Sequence, residues 1–178
     1  ELANNVSLFG GFLGDESSLE ERNDGLVDWD NVLIFQGERE TVLSGDLLGD
    51  DDCDEEDPDA YKGDNSYHVI KSGAVEHTAV LNGFSIVAGN ANGNNENNSG
   101  AGIYNSLGNP TIKHCVVEKN QASRAGGGMY TEGGIFAGEG NQASLEPVSI
   151  RQSIFRNNRA DWIGGGLNNY VGQIELKH

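Results

Sequence analysis

Basic side chains are scarce in this chain: 11 Lys and Arg stand against 28 Asp and Glu, for a net charge of −17. That balance excludes a nucleic-acid partner, because phosphate recognition leaves a basic footprint. Proline occurs three times, methionine once and cysteine twice. Cys53 lies in an acidic stretch and Cys115 in an apolar one. They are too few for a disulfide framework, and both read as free thiols. No apolar run approaches the roughly 18 residues of a membrane span, so none is expected.

Glycine and asparagine fill the space. With 26 Gly and 20 Asn, 46 of 178 residues belong to these two poor helix formers. Helical bundles and coiled coils are thereby excluded, and the length predicts a single domain over residues 1–178. Charge is lopsided along it. Residues 1–99 hold 22 acidic and 4 basic side chains, a net of −18; residues 100–178 hold 6 and 7, a net of +1. The first part reads as acidic and loop-rich, the second as regular and Gly-rich.

Repeats decide the fold class. A Gly-rich string followed by apolar residues recurs as Gly100-Ala101-Gly102-Ile103-Tyr104, Gly126-Gly127-Gly128-Met129-Tyr130 and Gly164-Gly165-Gly166-Leu167-Asn168. A second motif runs over Val80–Ala91, Thr111–Ala122 and Ser149–Ala160. Anchored on its final Ala, this motif aligns Leu81 with Ile112 and Ile150, Phe84 with Cys115 and Ser153, and Ile86 with Val117 and Phe155. The copies are 31 and 38 residues apart, the difference lying in the polar insert 133–145. Periods of that size signal a solenoid. Apolar residues alternate within each copy, which is the period of a half-buried strand. The sequence therefore predicts an all-β chain, a right-handed parallel β-helix with long polar loops in its N-terminal half. Asn120 and Asn158 fall at equivalent corners, where stacked side-chain amides would form a ladder. Further rung strands are expected at Val6–Phe12, Glu40–Gly45 and Tyr67–Ile70, separated by polar loops at Gly14–Asn31 and Asp46–Asn65. One helical turn is expected over Ser17–Arg22, and Gly89–Gly100 reads as a loop.

The alternation of Gly126-Gly127-Gly128-Met129-Tyr130 with Phe155-Arg156-Asn157-Asn158 resembles the short repeats of polymorphic outer-membrane proteins. More widely, Val6–Phe12, Leu43–Asp46, Asn65–Val69 and Leu81–Ala91 look like the pectate-lyase-like β-helix modules of large secreted bacterial proteins. The resemblance implies an extracellular or cell-surface location. It is compatible with adhesins, surface coats and polysaccharide enzymes alike.

Chemistry concentrates in one stretch. Residues 46–64 hold ten acidic side chains and one Lys. Asp50, Asp52 and Asp54, with Asp46 and Asp57 beside them, are the candidate ligands for calcium, a hard cation that takes six to eight oxygens. A solvated acidic loop is the other reading. An enzyme of this fold would need a base beside a cation or Arg. Lys113, His114, Lys119, Arg124, Arg151, Arg156 and Arg159 are the candidates. Most occupy surface positions of the repeat, His68 and His77 stand scattered, and Asp161 is isolated, so no catalytic set is assigned. Trp29, Trp162, Tyr104, Tyr130 and Tyr170 could build a sugar platform or could simply pack. Tyr104 and Tyr130 share a repeat position and should stack.

Two function classes follow as expectations. One is an extracellular or cell-surface structural or adhesive module, without catalysis. The other is a lyase or hydrolase acting on an acidic polysaccharide. Gln173–His178 matches the start of another rung, with Leu176 at the position of Ile112. The expected partners are therefore flanking rungs of a longer chain, or other copies adding end to end.

Overall fold

The computed structural model describes residues 1–29, 32–51, 62–132 and 146–177. The first strands are β1 (Ser7–Phe9), β2 (Leu26–Trp29), β3 (Val32–Phe35), β4 (Thr41–Ser44), β5 (Ile70–Ser72) and β6 (Val80–Asn82). Then come β7 (Phe84–Val87), β8 (Asn90–Ala91), β9 (Ile103–Ser106), β10 (Thr111–Lys113), β11 (Val116–Glu118) and β12 (Gln121–Ala122). The last are β13 (Met129–Glu132), β14 (Val148–Arg151), β15 (Ile154–Arg156), β16 (Arg159–Ala160), β17 (Leu167–Val171) and β18 (Ile174–Lys177). Short 3-10 turns at Glu21–Gly25, Gly37–Arg39 and Asn95–Asn98 are the helical elements among the described residues. The chain is all-β and mainly parallel.

Four parallel sheets are ordered β1-β6-β10-β14-β18, β4-β7-β11-β15, β8-β12-β16 and β5-β9-β13-β17. Each repeat therefore visits the sheets in one order. From β10 the chain passes to β11, β12 and β13 before β14 pairs in parallel with β10. Register follows the repeat alignment: Leu81, Ile112, Ile150 and Leu176 are successive partners, as are Ile86, Val117 and Phe155. Ile103, Met129 and Leu167 form a third row.

The corners explain the unusual composition. Gly83, His114 and Gln152 precede equivalent strands and all adopt positive φ, at 88°, 50° and 44°. Ala88, Lys119 and Asn157 do the same at the next corner, and Gly100, Gly126 and Gly164 at the third. A left-handed residue turns the chain tightly from one sheet into the next. Glycine takes that conformation freely, whereas other residues hold it against roughly 1 kcal/mol or more of strain.

Inside lie Leu81, Ile86, Ile103, Ile112, Cys115, Val117 and Met129, all fully buried. Cys115 is a free thiol whose pKa burial pushes up to about 11, so it is packing rather than chemistry. Phe155 packs against this core but is only half-buried, because β15 is the edge strand of its sheet. In the neighbouring row Ile150 stays buried. Asn120, 1% exposed, donates to the carbonyls of Ile86 (3.0 Å) and Glu118 (2.9 Å) and to Asn158 Oδ1 (3.0 Å). Asn158 in turn donates to Val117 O at 2.7 Å, so the predicted ladder exists.

The N-terminal half departs from expectation. The predicted loop Gly14–Asn31 carries a 3-10 turn and strand β2, which pairs antiparallel with β3. The apolar residues of 26–35 bury Ile34 and Phe35 and so favour a hairpin over a solvated loop. Arg22 pins it. Its guanidinium is 2% exposed, stands over the rings of Phe9, Phe12 and Phe35, and donates to Gly10 O (2.6 Å) and Asn82 Oδ1 (3.0 Å). Burial lowers its pKa. The helical turn begins at Glu21, not Ser17, because the Ser17 hydroxyl and N–H are engaged by the Glu21 carboxylate at 2.7 and 2.8 Å. Strand β5 starts at Ile70, and the supposed loop Gly89–Gly100 contains β8 and the Asn95–Asn98 turn.

Candidate functional site

The acidic stretch is only partly described: Asp46, Asp50 and Asp51 are, whereas Asp52, Asp54, Asp57 and Cys53 lie outside the described residues. It leaves the end of β4 and returns at Ser66, whose N–H donates to Gly45 O at 2.8 Å. Between these points the chain turns on Asp46. Its carboxylate accepts the N–H groups of Gly49 (2.6 Å), Asp50 (3.3 Å) and Asp51 (3.1 Å), while Asp64 Oδ2 accepts those of Leu47 and Leu48. Desolvation raises the Asp46 pKa, but these amide bonds outweigh it and hold the carboxyl below its ordinary range. Asp50 moves the other way. Desolvation comes first, then repulsion from the Asp64 and Asp46 carboxylates, and together they push its pKa up.

Asp46, Asp50 and Asp51 each bring one carboxylate oxygen within 4.8 Å of the others, a spacing at which the three could hold a metal ion. Asn65 braces the group, donating to Asp51 Oδ2 (2.6 Å) and Ala88 O (2.8 Å). Asp51 was not among the residues expected from spacing. Its signal was the fold-back of the chain onto Asp46, which alternation along a strand does not reveal.

The basic candidates are dispersed. His114 is buried, its Nδ1–H donates to Leu33 O at 2.7 Å, and burial lowers its pKa. Arg151 donates to Ser149 Oγ, Arg156 pairs with Glu118, and Arg159 pairs with Asp161 at 3.3 Å. Asp161 is thus one half of an ion pair rather than isolated. Lys119 occupies an exposed corner, and Arg124 stands apart beside Tyr130.

Tyr104 and Tyr130 do stack, with ring centroids 5.8 Å apart and planes 14° from parallel; His68 continues the stack below Tyr104 at 4.9 Å. Burial, then the bond to Glu132, raises the Tyr104 pKa. Trp162 and Tyr170 are exposed and take no part in that stack.

At the C-terminal end, β18, β15, β16 and β17 are the last strands of their sheets. Trp162, Ile163, Tyr170 and Leu176 are each at least 60% exposed there. The opposite end differs. Leu2 lies over β5, its N–H bonded to Lys71 O at 3.0 Å, and Ser66 lies over β8, accepting the Asn90 N–H at 2.9 Å. No helix of the described residues is long and apolar enough to cross a membrane. Compared with family models, curated proteins and solved structures, the chain matches none.

Proposed function

We propose that the chain is a right-handed parallel β-helix module with a structural or adhesive role at an extracellular or bacterial cell surface, and that it extends by accepting another rung at its C-terminal end. The observation that carries this reading is the four-sheet edge formed by β15, β16, β17 and β18, with its exposed apolar side chains. Unpaired parallel edges invite strand addition, and a head-to-tail contact of this kind grows rather than closes. For the chain by itself, the added rung comes from another copy.

Gly166 provides the test. A Cβ there would meet only Phe155 Cβ at 3.8 Å, so alanine fits the isolated chain. At the equivalent Gly128, the following strand would bring a carbonyl oxygen and the Asn158 amide into overlap with a Cβ. Light scattering and electron microscopy should therefore show mass growing with concentration for the native chain and a monomer for Gly166→Ala. A native chain that stays monomeric at every concentration overturns end-to-end growth.

The turn at Asp46, Asp50 and Asp51 serves in this reading as a calcium site. Three hard oxygen donors within 4.8 Å, and an Asp50 carboxylate whose charge desolvation and the neighbouring carboxylates disfavour, support it. An ion that binds only the folded state at about 100 times its Kd adds about 2.7 kcal/mol. Calcium should raise the melting temperature and a chelator should reverse it. An unchanged melt leaves a solvated turn.

A further inference from the structure

The Asn95–Asn98 turn, the β9 and β13 strands and the segment around Arg124 enclose a cleft of about 470 Å³. Its floor is rigid. Tyr104 and Tyr130, 3% and 8% exposed, stack on each other, and both hydroxyls donate to the Glu132 carboxylate, at 2.7 Å and 3.2 Å. Ser106 adds a third bond to the same carboxylate. One wall is the Asn-rich turn, tied down by the Lys71–Glu96 ion pair at 2.9 Å and by the Gly93 N–H donating to Asn97 O. Arg124 lines the cleft beside that turn, its backbone N–H donating to Asn98 O at 2.9 Å, and its side chain is exposed.

The chemistry of this lining is specific. Asn side chains offer a donor and an acceptor on one plane, and the Arg fork offers paired donors. Such groups match vicinal hydroxyls on a ring, and the volume falls in the range of small-molecule sites. Charge decides what kind of ring. Glu96 is compensated by Lys71, and Glu132 and Arg124 are the other two charged side chains of the lining, so the charges balance. An anionic ligand would meet no net positive charge there.

We infer that this cleft binds a neutral saccharide unit, with Arg124 and the Asn95 and Asn97 side chains holding its hydroxyls over the Tyr104–Tyr130 floor. This goes beyond the structural role proposed above and stands independently of end-to-end growth, since the cleft lies on the side of the stack. Tyr104 and Tyr130 repeat in register, whereas the next copy presents Asn168, so the aromatic floor is two rungs long.

Cellobiose, lactose and maltose are the probes, with digalacturonic acid as the acidic arm. The side-chain amide signals of Asn95 and Asn97 and the Arg124 Nε–H signal are followed by NMR during titration. At least one neutral disaccharide should give saturable shifts with Kd on the order of 1 mM, at least about tenfold tighter than digalacturonic acid. Arg124→Ala and Asn95→Asp, both at exposed side chains outside the core, should weaken it at least about tenfold while the melting temperature holds. The inference is overturned by no saturable shift for any neutral probe up to about 50 mM, by preference for the acidic probe, or by binding unchanged in both variants.

Discussion

Gly102→Ala should destabilise the chain by more than about 4 kcal/mol, whereas Gly166→Ala, at the same place in the repeat, should change stability by less than about 1 kcal/mol. A Cβ on Gly102 would overlap the carbonyl oxygen of Gly128 on the next strand and lie 2.9 Å from both Asn120 Nδ2 and Val117 Cγ1. The carbonyl is fixed by the ladder, and Asn120 and Val117 are fully buried, so nothing can move aside cheaply. Among the described residues no strand pairs beyond β17, and a Cβ on Gly166 would meet only Phe155 Cβ at 3.8 Å. Urea unfolding of the two variants measures the difference; equal effects would mean the copies do not stack as described.

Asn120→Ala should cost about 4 kcal/mol, roughly 10 °C in melting temperature for a chain of this size. The side chain accepts the Gly89 N–H at 2.9 Å and donates to Ile86 O, Glu118 O and Asn158 Oδ1. Alanine leaves buried backbone groups without partners, and each such group forfeits about 1–3 kcal/mol. Asn158→Ala, half-buried at the edge of the stack, should cost about half as much. Differential scanning calorimetry would resolve the pair. Similar small losses at both positions would reduce the ladder to ordinary turn chemistry.

The repeat was legible because strand register and sequence register are the same thing here. Once Leu81, Ile112 and Ile150 superpose in sequence, parallel pairing places them side by side, and the structure does so. The N-terminal hairpin was not legible, because β2 and β3 belong to no repeat and are held by tertiary contacts of Arg22 with Phe9 and Phe35. Half of the acidic turn was visible as composition. The role of Asp46 as acceptor for three amides was not, since alternation cannot show a chain folding back on one carboxylate. The cleft was invisible altogether. Asn97 lies 27 residues before Arg124, and the stacking of β9 on β13 brings it beside Arg124 and Glu132.

The central claim is that successive copies of the repeat lie one strand apart, in parallel and in register. Lys113 and Arg151 are direct partners on β10 and β14, and Arg151 and Lys177 on β14 and β18. Neighbouring strands are about 4.8 Å apart, within disulfide reach, whereas Lys113 and Lys177 are two strands apart at about 10 Å, beyond it. Mild oxidation in a Cys53→Ser background, with Cys115 left buried and inert, should cross-link Lys113→Cys/Arg151→Cys rapidly and leave Lys113→Cys/Lys177→Cys open. Equal yields for the two pairs, or faster closure of the second, would contradict the stacked register.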